Sequence, residues 1–181
     1  MIRPIFCNFI DETYLKLDNK EIIQQCEKLV KETPDSPNQA ITNFKIVELA
    51  KLQDRVQTRC VHLLNELGIQ NQGVYIYESW VNSGKAETFG GAHIHPGFLL
   101  AAVYYPHESD SHLEFVTPFP EHRYALDPNL VIEHNEYTSS SCRVYPEEGK
   151  LIIFPAWLTH FVVSNDDRQR VSIAFNINPI P

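Results

Sequence analysis

The sequence predicts a mainly β protein with an N-terminal α part: a jelly roll preceded by two helices. From residue 73 onward the chain falls into seven short runs rich in β-branched and aromatic residues, bounded by Gly, Pro, Asn or Asp. Before residue 70, apolar residues recur instead at three- and four-residue spacing. Seven strands so closely spaced form a sandwich or barrel-like jelly roll. With 181 residues, 43% of them hydrophobic, the chain suits one domain, 1–181, in which 1–70 is helical support and 72–178 the β core.

Asp18, with Glu21 three residues on, predicts a capping box. Ile22, Ile23, Cys26, Leu29 and Val30 then share a helical face, and the helix ends before Pro34. Residues 34–38 are a loop by their turn residues. A longer helix is expected over 42–67, closed by Gly68. Its apolar stripe is Ile46, Leu49, Val56, Cys60, Leu63 and Leu67, interrupted at Gln53. The stripe could form a homodimer seam, but short interrupted stripes usually cover a core, so packing on the sheet is expected. The strands are expected at 73–81, 99–105, 113–116, 142–145, 151–154, 161–163 and 171–177. A long polar insert between Pro118 and Ser141, with His122, Arg123, His134 and Tyr137, is a candidate lid.

Composition removes several classes of function. A formal charge of −8 without any Lys/Arg-rich run gives no footprint for duplex nucleic acid. No stretch approaches the length of a membrane span, and residues 1–10 lack the apolar core of a signal peptide. A soluble cytoplasmic protein is expected. Cys7, Cys26, Cys60 and Cys142 form no CxxC pair and are expected as buried free thiols.

Two fragments carry the chemistry: His93-Ile94-His95, and the run from Gly149 to His160 followed by Arg170-Val171-Ser172. In an extended strand alternate side chains share a face, so His93 and His95 can grip one ion. His160 is the third candidate ligand, after the apolar strand that Pro155 terminates, and Arg170 would bring a fixed positive charge beside the metal.

This order and spacing resembles the iron and 2-oxoglutarate dependent oxygenases, which carry a His-x-Asp/Glu pair, a distal His and a following Arg-x-Ser. More closely, residues 93–105 and 149–176 look like a family of such oxygenases from marine bacteria and their phages, with the likeness spanning roughly 72–178. The resemblance implies a double-stranded β-helix with the two helices packed on its sheet. It implies Fe(II) on His93, His95 and His160, with 2-oxoglutarate as cosubstrate. A planar Arg170 fork would take its distal carboxylate, and Ser172, on the same strand face, would add a hydroxyl. Asn82 and Tyr105 are further candidate contacts. The implied reaction hydroxylates an unidentified substrate, a small molecule or a protein side chain, and releases succinate and CO2. One departure stands out: His95 occupies the place of the usual carboxylate. Should His95 not ligate, Glu114 is the first carboxylate to test.

Two other readings remain open on sequence. Gly149-x5-Pro155-x-Trp157-x2-His160 also resembles the second cupin motif, and some cupins use three His ligands without 2-oxoglutarate. The cupin Glu is missing, however, and Arg170-x-Ser172 is unexplained by that reading. A non-catalytic β-helix binding module is the third. Trp80 and Trp157 could line a pocket, although core packing is commoner for large aromatics. His62, His107, His112, His122 and His134 read as surface or satisfied core residues, and Arg168 as a surface residue.

Overall fold

The computed structural model describes residues 7–33, 39–84, 91–119, 121, 127–135, 137–163 and 170–181. It begins with a short edge strand, β1 (Asp11–Tyr14), followed by α1 (Asn19–Lys31). Asp18 Oδ1 accepts from Glu21 N at 3.1 Å, as the cap predicts. Glu21 does not reach back to complete the box; its carboxylate accepts from Gln25 Nε2 instead.

The second helix starts later than its periodicity suggests. Residues 39–41 form β2 (Gln39–Ile41), and Thr42 is tied down by its N–H to Ser79 O at 3.0 Å and by Ser79 Oγ at 2.9 Å. Only after the turn in which Asn43 Oδ1 accepts from Lys45 N does α2 (Val47–Glu66) begin. It ends at Leu67, and Gly68 follows at φ 72°, a left-handed conformation that glycine adopts without strain. Leu49, Leu52, Val56, Cys60, Leu63 and Leu64 are buried on the sheet together with Ile22, Cys26 and Val30 of α1, so the stripe does not form a dimer seam. Leu67, expected in that stripe, is exposed.

All seven expected strands are present: β3 (Val74–Gly84), β4 (Leu100–Tyr105), β5 (His112–Val116), β6 (Ser141–Val144), β7 (Lys150–Pro155), β8 (His160–Val163) and β9 (Arg170–Pro179). The described strands form a six-stranded sheet, β1-β7-β4-β9-β3-β2, and a three-stranded sheet, β6-β5-β8. Their pairings are antiparallel. The chain crosses from the large sheet to the small one after β4, returns at β7, crosses again to β8 and comes back at β9. These crossings make the double-stranded β-helix. Gly149, at φ 79°, lets the chain turn into β7 against Leu15, whose carbonyl oxygen would lie 2.7 Å from any Cβ there.

Two apolar layers result. The helices cover one face of the large sheet through Tyr104, Leu151, Ile153, Ile173, Phe175 and Ile177. The space between the sheets holds Ala101, Tyr105, Leu113, Phe115, Ile152 and Phe154. Burial of each large apolar side chain contributes about 1.5–3 kcal/mol. Among the described residues no helix is long and apolar enough to cross a membrane. The four cysteines are free, but only Cys26 and Cys60 are buried; Cys7 and Cys142 are exposed.

Candidate metal centre and cosubstrate pocket

His93 and His95 do not lie in a regular strand. His93 makes an isolated antiparallel bridge to His160, with His93 N donating to His160 O at 3.0 Å and His160 N to His93 O at 3.1 Å. His95 N donates to Ala156 O at 2.8 Å. The loop before β4 is thus stitched to the turn between β7 and β8, which brings the three histidines together despite their separation in sequence. Their ligating nitrogens lie within 4.8 Å of one another.

The rings are oriented by their surroundings. His93 Nδ1 faces Gly91 O at 2.6 Å and His160 Nδ1 faces Leu158 O at 2.8 Å. Carbonyls only accept, so both rings carry their hydrogen on Nδ1 and present Nε2. His95 Nε2 and His160 Nε2 stand 3.1 Å apart. Phe154 packs edge-on to His160 at 4.8 Å, and Trp80 stacks on His95 at 5.9 Å. Burial lowers the proton affinity of His95, and lowers His160 to about 4. Both are therefore neutral near pH 7 and can ligate without first losing a proton. His93 is exposed, which leaves one side of the cluster open.

The second group lies along β9. Val171, Ile173, Phe175 and Ile177 face the helices, so Arg170, Ser172, Ala174, Asn176 and Asn178 face the space between the sheets. Ser172 pairs with Asn82 across β3, and Tyr105 follows directly after the Tyr104–Ile173 pair of β4 and β9. Tyr105 therefore points inward, toward Arg170, while Tyr104 points to the helices and donates to Asn19 Oδ1 at 2.5 Å. Burial pushes Tyr105 up to about 12 despite the opposing Arg170 and Lys150 charges, so it is a neutral hydroxyl at physiological pH. Burial also depresses the Arg170 pKa, while Tyr105 opposes that shift. No carboxylate pairs with Arg170 among the described residues. A desolvated guanidinium without a counter-charge is a strong attractor for an anion. Asn82 is held by Gln39 Nε2, which donates to its Oδ1 at 2.8 Å.

Glu114 is not an alternative ligand. It alternates with Leu113 and Phe115, which face the core, and lies on the outer face of β5 beside Arg143 at 3.1 Å and His112 at 3.5 Å. His112 is neither a surface residue nor a satisfied one: it is buried with neither ring nitrogen in a regular hydrogen bond. Trp157 is exposed, whereas Trp80 belongs to the site. His62 and His134 are exposed, and His122, Arg123 and Arg168 lie outside the described residues. Sequence reasoning missed His107, whose Nε2 accepts from Val171 N at 3.0 Å beside Arg170. It also missed Asn178, which takes Leu99 N at 2.7 Å and gives to Gly97 O at 3.0 Å, clamping the loop that follows His95. The polar beat along β9 could have revealed Asn178; nothing in the sequence marks His107.

A family profile described as "Putative 2OG-Fe(II) oxygenase" matches residues 78–176, more than half of the chain, a span that includes His93, His95, His160, Arg170 and Ser172. The chain belongs to this oxygenase family. Solved structures agree at the level of the fold. The epimerase SnoN, solved with Fe3+, alpha ketoglutarate and nogalamycin RO, is 13% identical, with a TM-score of 0.63 over 96% of this chain and 82% of that one. EctD from S. alaskensis, solved with 2-oxoglutarate and 5-hydroxyectoine, is 15% identical, with a TM-score of 0.62 over 95% and 72%. A prolyl-4-hydroxylase from Pseudomonas putida is 13% identical, with a TM-score of 0.60 over 95% and 88%. No curated protein matches by sequence. The oxygenase is thus Fe(II)- and 2-oxoglutarate-dependent by family, and its donor set suits that pair. The three histidines could hold an ion and would leave positions on it open for a chelating acid, and Arg170 faces the intersheet space onto which His160 also opens.

Proposed function

We propose that His93, His95 and His160 hold Fe(II), and that Arg170, Ser172, Asn82 and Tyr105 hold 2-oxoglutarate, for hydroxylation of an as yet unidentified substrate. Bound together, iron and 2-oxoglutarate would supply the activation of O2, with one oxygen entering a substrate C–H bond and the other entering succinate as CO2 leaves. The protein supplies position and dryness. Arg170 takes the distal carboxylate in a two-point fork, Ser172 and Tyr105 donate hydroxyl hydrogens, and Asn82 closes the row. Phe154 and Trp80 keep two of the imidazoles away from bulk water.

The observation that carries this reading is a partly buried Arg170, with no carboxylate paired to it among the described residues, facing the same intersheet space as His160. That placement also sets aside the cupin alternative, which gives Arg170 no task. A substrate among small molecules or protein side chains, a cytoplasmic location and a single domain over 1–181 complete the proposal. The acidic chain speaks against duplex nucleic acid as a partner, and the reading does not require a homodimer, since all named groups come from one chain.

With three neutral ligands the charge of the ion is uncompensated until the dianionic cosubstrate arrives. Iron and 2-oxoglutarate should therefore strengthen each other's binding. Anaerobic iron titrations with and without 2-oxoglutarate test this. His95→Ala should lose iron affinity, while His95→Asp should retain it. Full iron affinity in His95→Ala would remove that residue from the ligand set.

A further inference from the structure

The three imidazoles differ in what holds the nitrogen turned away from the centre. In His93 and His160 a backbone carbonyl accepts from Nδ1. Among the described residues no backbone carbonyl does this for His95. His95 stacks on Trp80, which pairs with Ala174 across β3 and β9, and the next pair on that face is Glu78 with Asn176, whose side chain is buried in the middle of β9. Asn176 Nδ2 donates to Glu78 Oε2 at 2.7 Å, which fixes the amide so that Oδ1 points the other way. That oxygen is buried without a hydrogen-bond partner, and buried carboxamide oxygens in folded proteins find donors. Glu78 reaches this position because β3 changes register between Ile76 and Glu78.

We propose that Asn176, held by Glu78, is the positioning residue for His95: when the metal is bound, its Oδ1 accepts from His95 Nδ1–H and keeps Nε2 turned to the metal. The carboxylate absent from the ligand set then acts on the centre through one intervening amide. The inference rests on the ligand set proposed above, and it concerns metal binding alone. Partners of this kind orient a metal-bound histidine and typically change metal affinity by about 10- to 100-fold when removed.

The test uses zinc(II) and iron(II) with the full chain. In the zinc-loaded parent protein, long-range 15N–1H NMR should show His95 coordinated through Nε2 with a slowly exchanging Nδ1–H. Asn176→Ala should weaken both metals by about 10- to 100-fold and lose that one Nδ1–H signal while those of His93 and His160 persist. Asn176→Asp combined with Glu78→Gln exchanges the partners but keeps an acceptor on His95, and should restore affinity close to the parent. Coordination of His95 through Nδ1, unchanged affinity in Asn176→Ala, or a double variant as weak as Asn176→Ala would overturn the proposal. Should Asn176→Ala fail to fold, the parent spectrum and the double variant still decide. A parent chain that binds no zinc would instead overturn the ligand set itself.

Discussion

The two faces of β9 have opposite compositions and opposite tasks. Toward the helices it presents Val171, Ile173, Phe175 and Ile177, each with at most 1% of its surface exposed. Toward the second sheet it presents Arg170, Ser172, Ala174, Asn176 and Asn178. The first face joins the helical layer to the sheet. The second aligns a cationic end, at Arg170, with an amide end that reaches the histidine loop through Asn178. Strand alternation thus keeps stability and chemistry on separate sides of one backbone, so substitutions on the two faces should fail in different ways.

The largest effect is expected on the helix-side face. Phe175→Ala removes a ring buried at 0% exposure and should cost about 3–5 kcal/mol of stability, read by urea denaturation. The fraction that stays folded should bind iron and 2-oxoglutarate normally. On the opposite face Arg170→Ala should do the reverse. It should weaken 2-oxoglutarate by about 2–5 kcal/mol, roughly 30- to several-thousand-fold, while iron affinity and the urea midpoint move little. Loss of iron binding in this variant would show that the two ends of the face are not separable.

Acid should act on the histidine end. His160 titrates at about 4 in the folded protein, below the histidine value of 6.5, because burial disfavours its charged form. As pH falls the unfolded chain therefore takes up a proton first, and metal-free stability declines from pH 6.5 down to about 4. The loss from this residue is on the order of 3 kcal/mol, is complete below the folded pKa, and is followed by urea denaturation at a series of pH values. His160→Gln should flatten that slope. The smallest effect is expected for Ser172→Ala: one hydrogen bond, about 1 kcal/mol, or roughly fivefold in 2-oxoglutarate affinity by calorimetry.

Much of this architecture was legible in sequence, for identifiable reasons. The seven core strands are visible because both of their faces, or one, are apolar. The strands β1 and β2 were not, because short edge strands such as Asp11–Tyr14 and Gln39–Ile41 bury little and carry polar residues. The start of α2 was hidden by the ties of Thr42 to Ser79, a tertiary contact that periodicity does not report. The histidine triad, Arg170, Ser172, Asn82 and Tyr105 are readable as site candidates from the sequence, partly through a family likeness. The geometry that unites the triad is not visible in sequence: His93 and His95 meet His160 through a backbone bridge between the irregular segment before β4 and the first residue of β8. Glu78 was beyond reach, since only the register shift in β3 brings it to Asn176. The outward position of Glu114 depends likewise on which face of β5 is inner, and an alternation of polar and apolar residues over five positions did not decide that.

The polar face of β9 and the histidine cluster should bind one cosubstrate between them. Anaerobic optical titration of the iron(II)-loaded protein with 2-oxoglutarate measures this. A weak visible charge-transfer band should grow to saturation, with half-saturation moved to much higher concentration in Arg170→Ala. An iron-loaded protein that develops no such band at millimolar 2-oxoglutarate, or whose band is indifferent to Arg170→Ala, would contradict it.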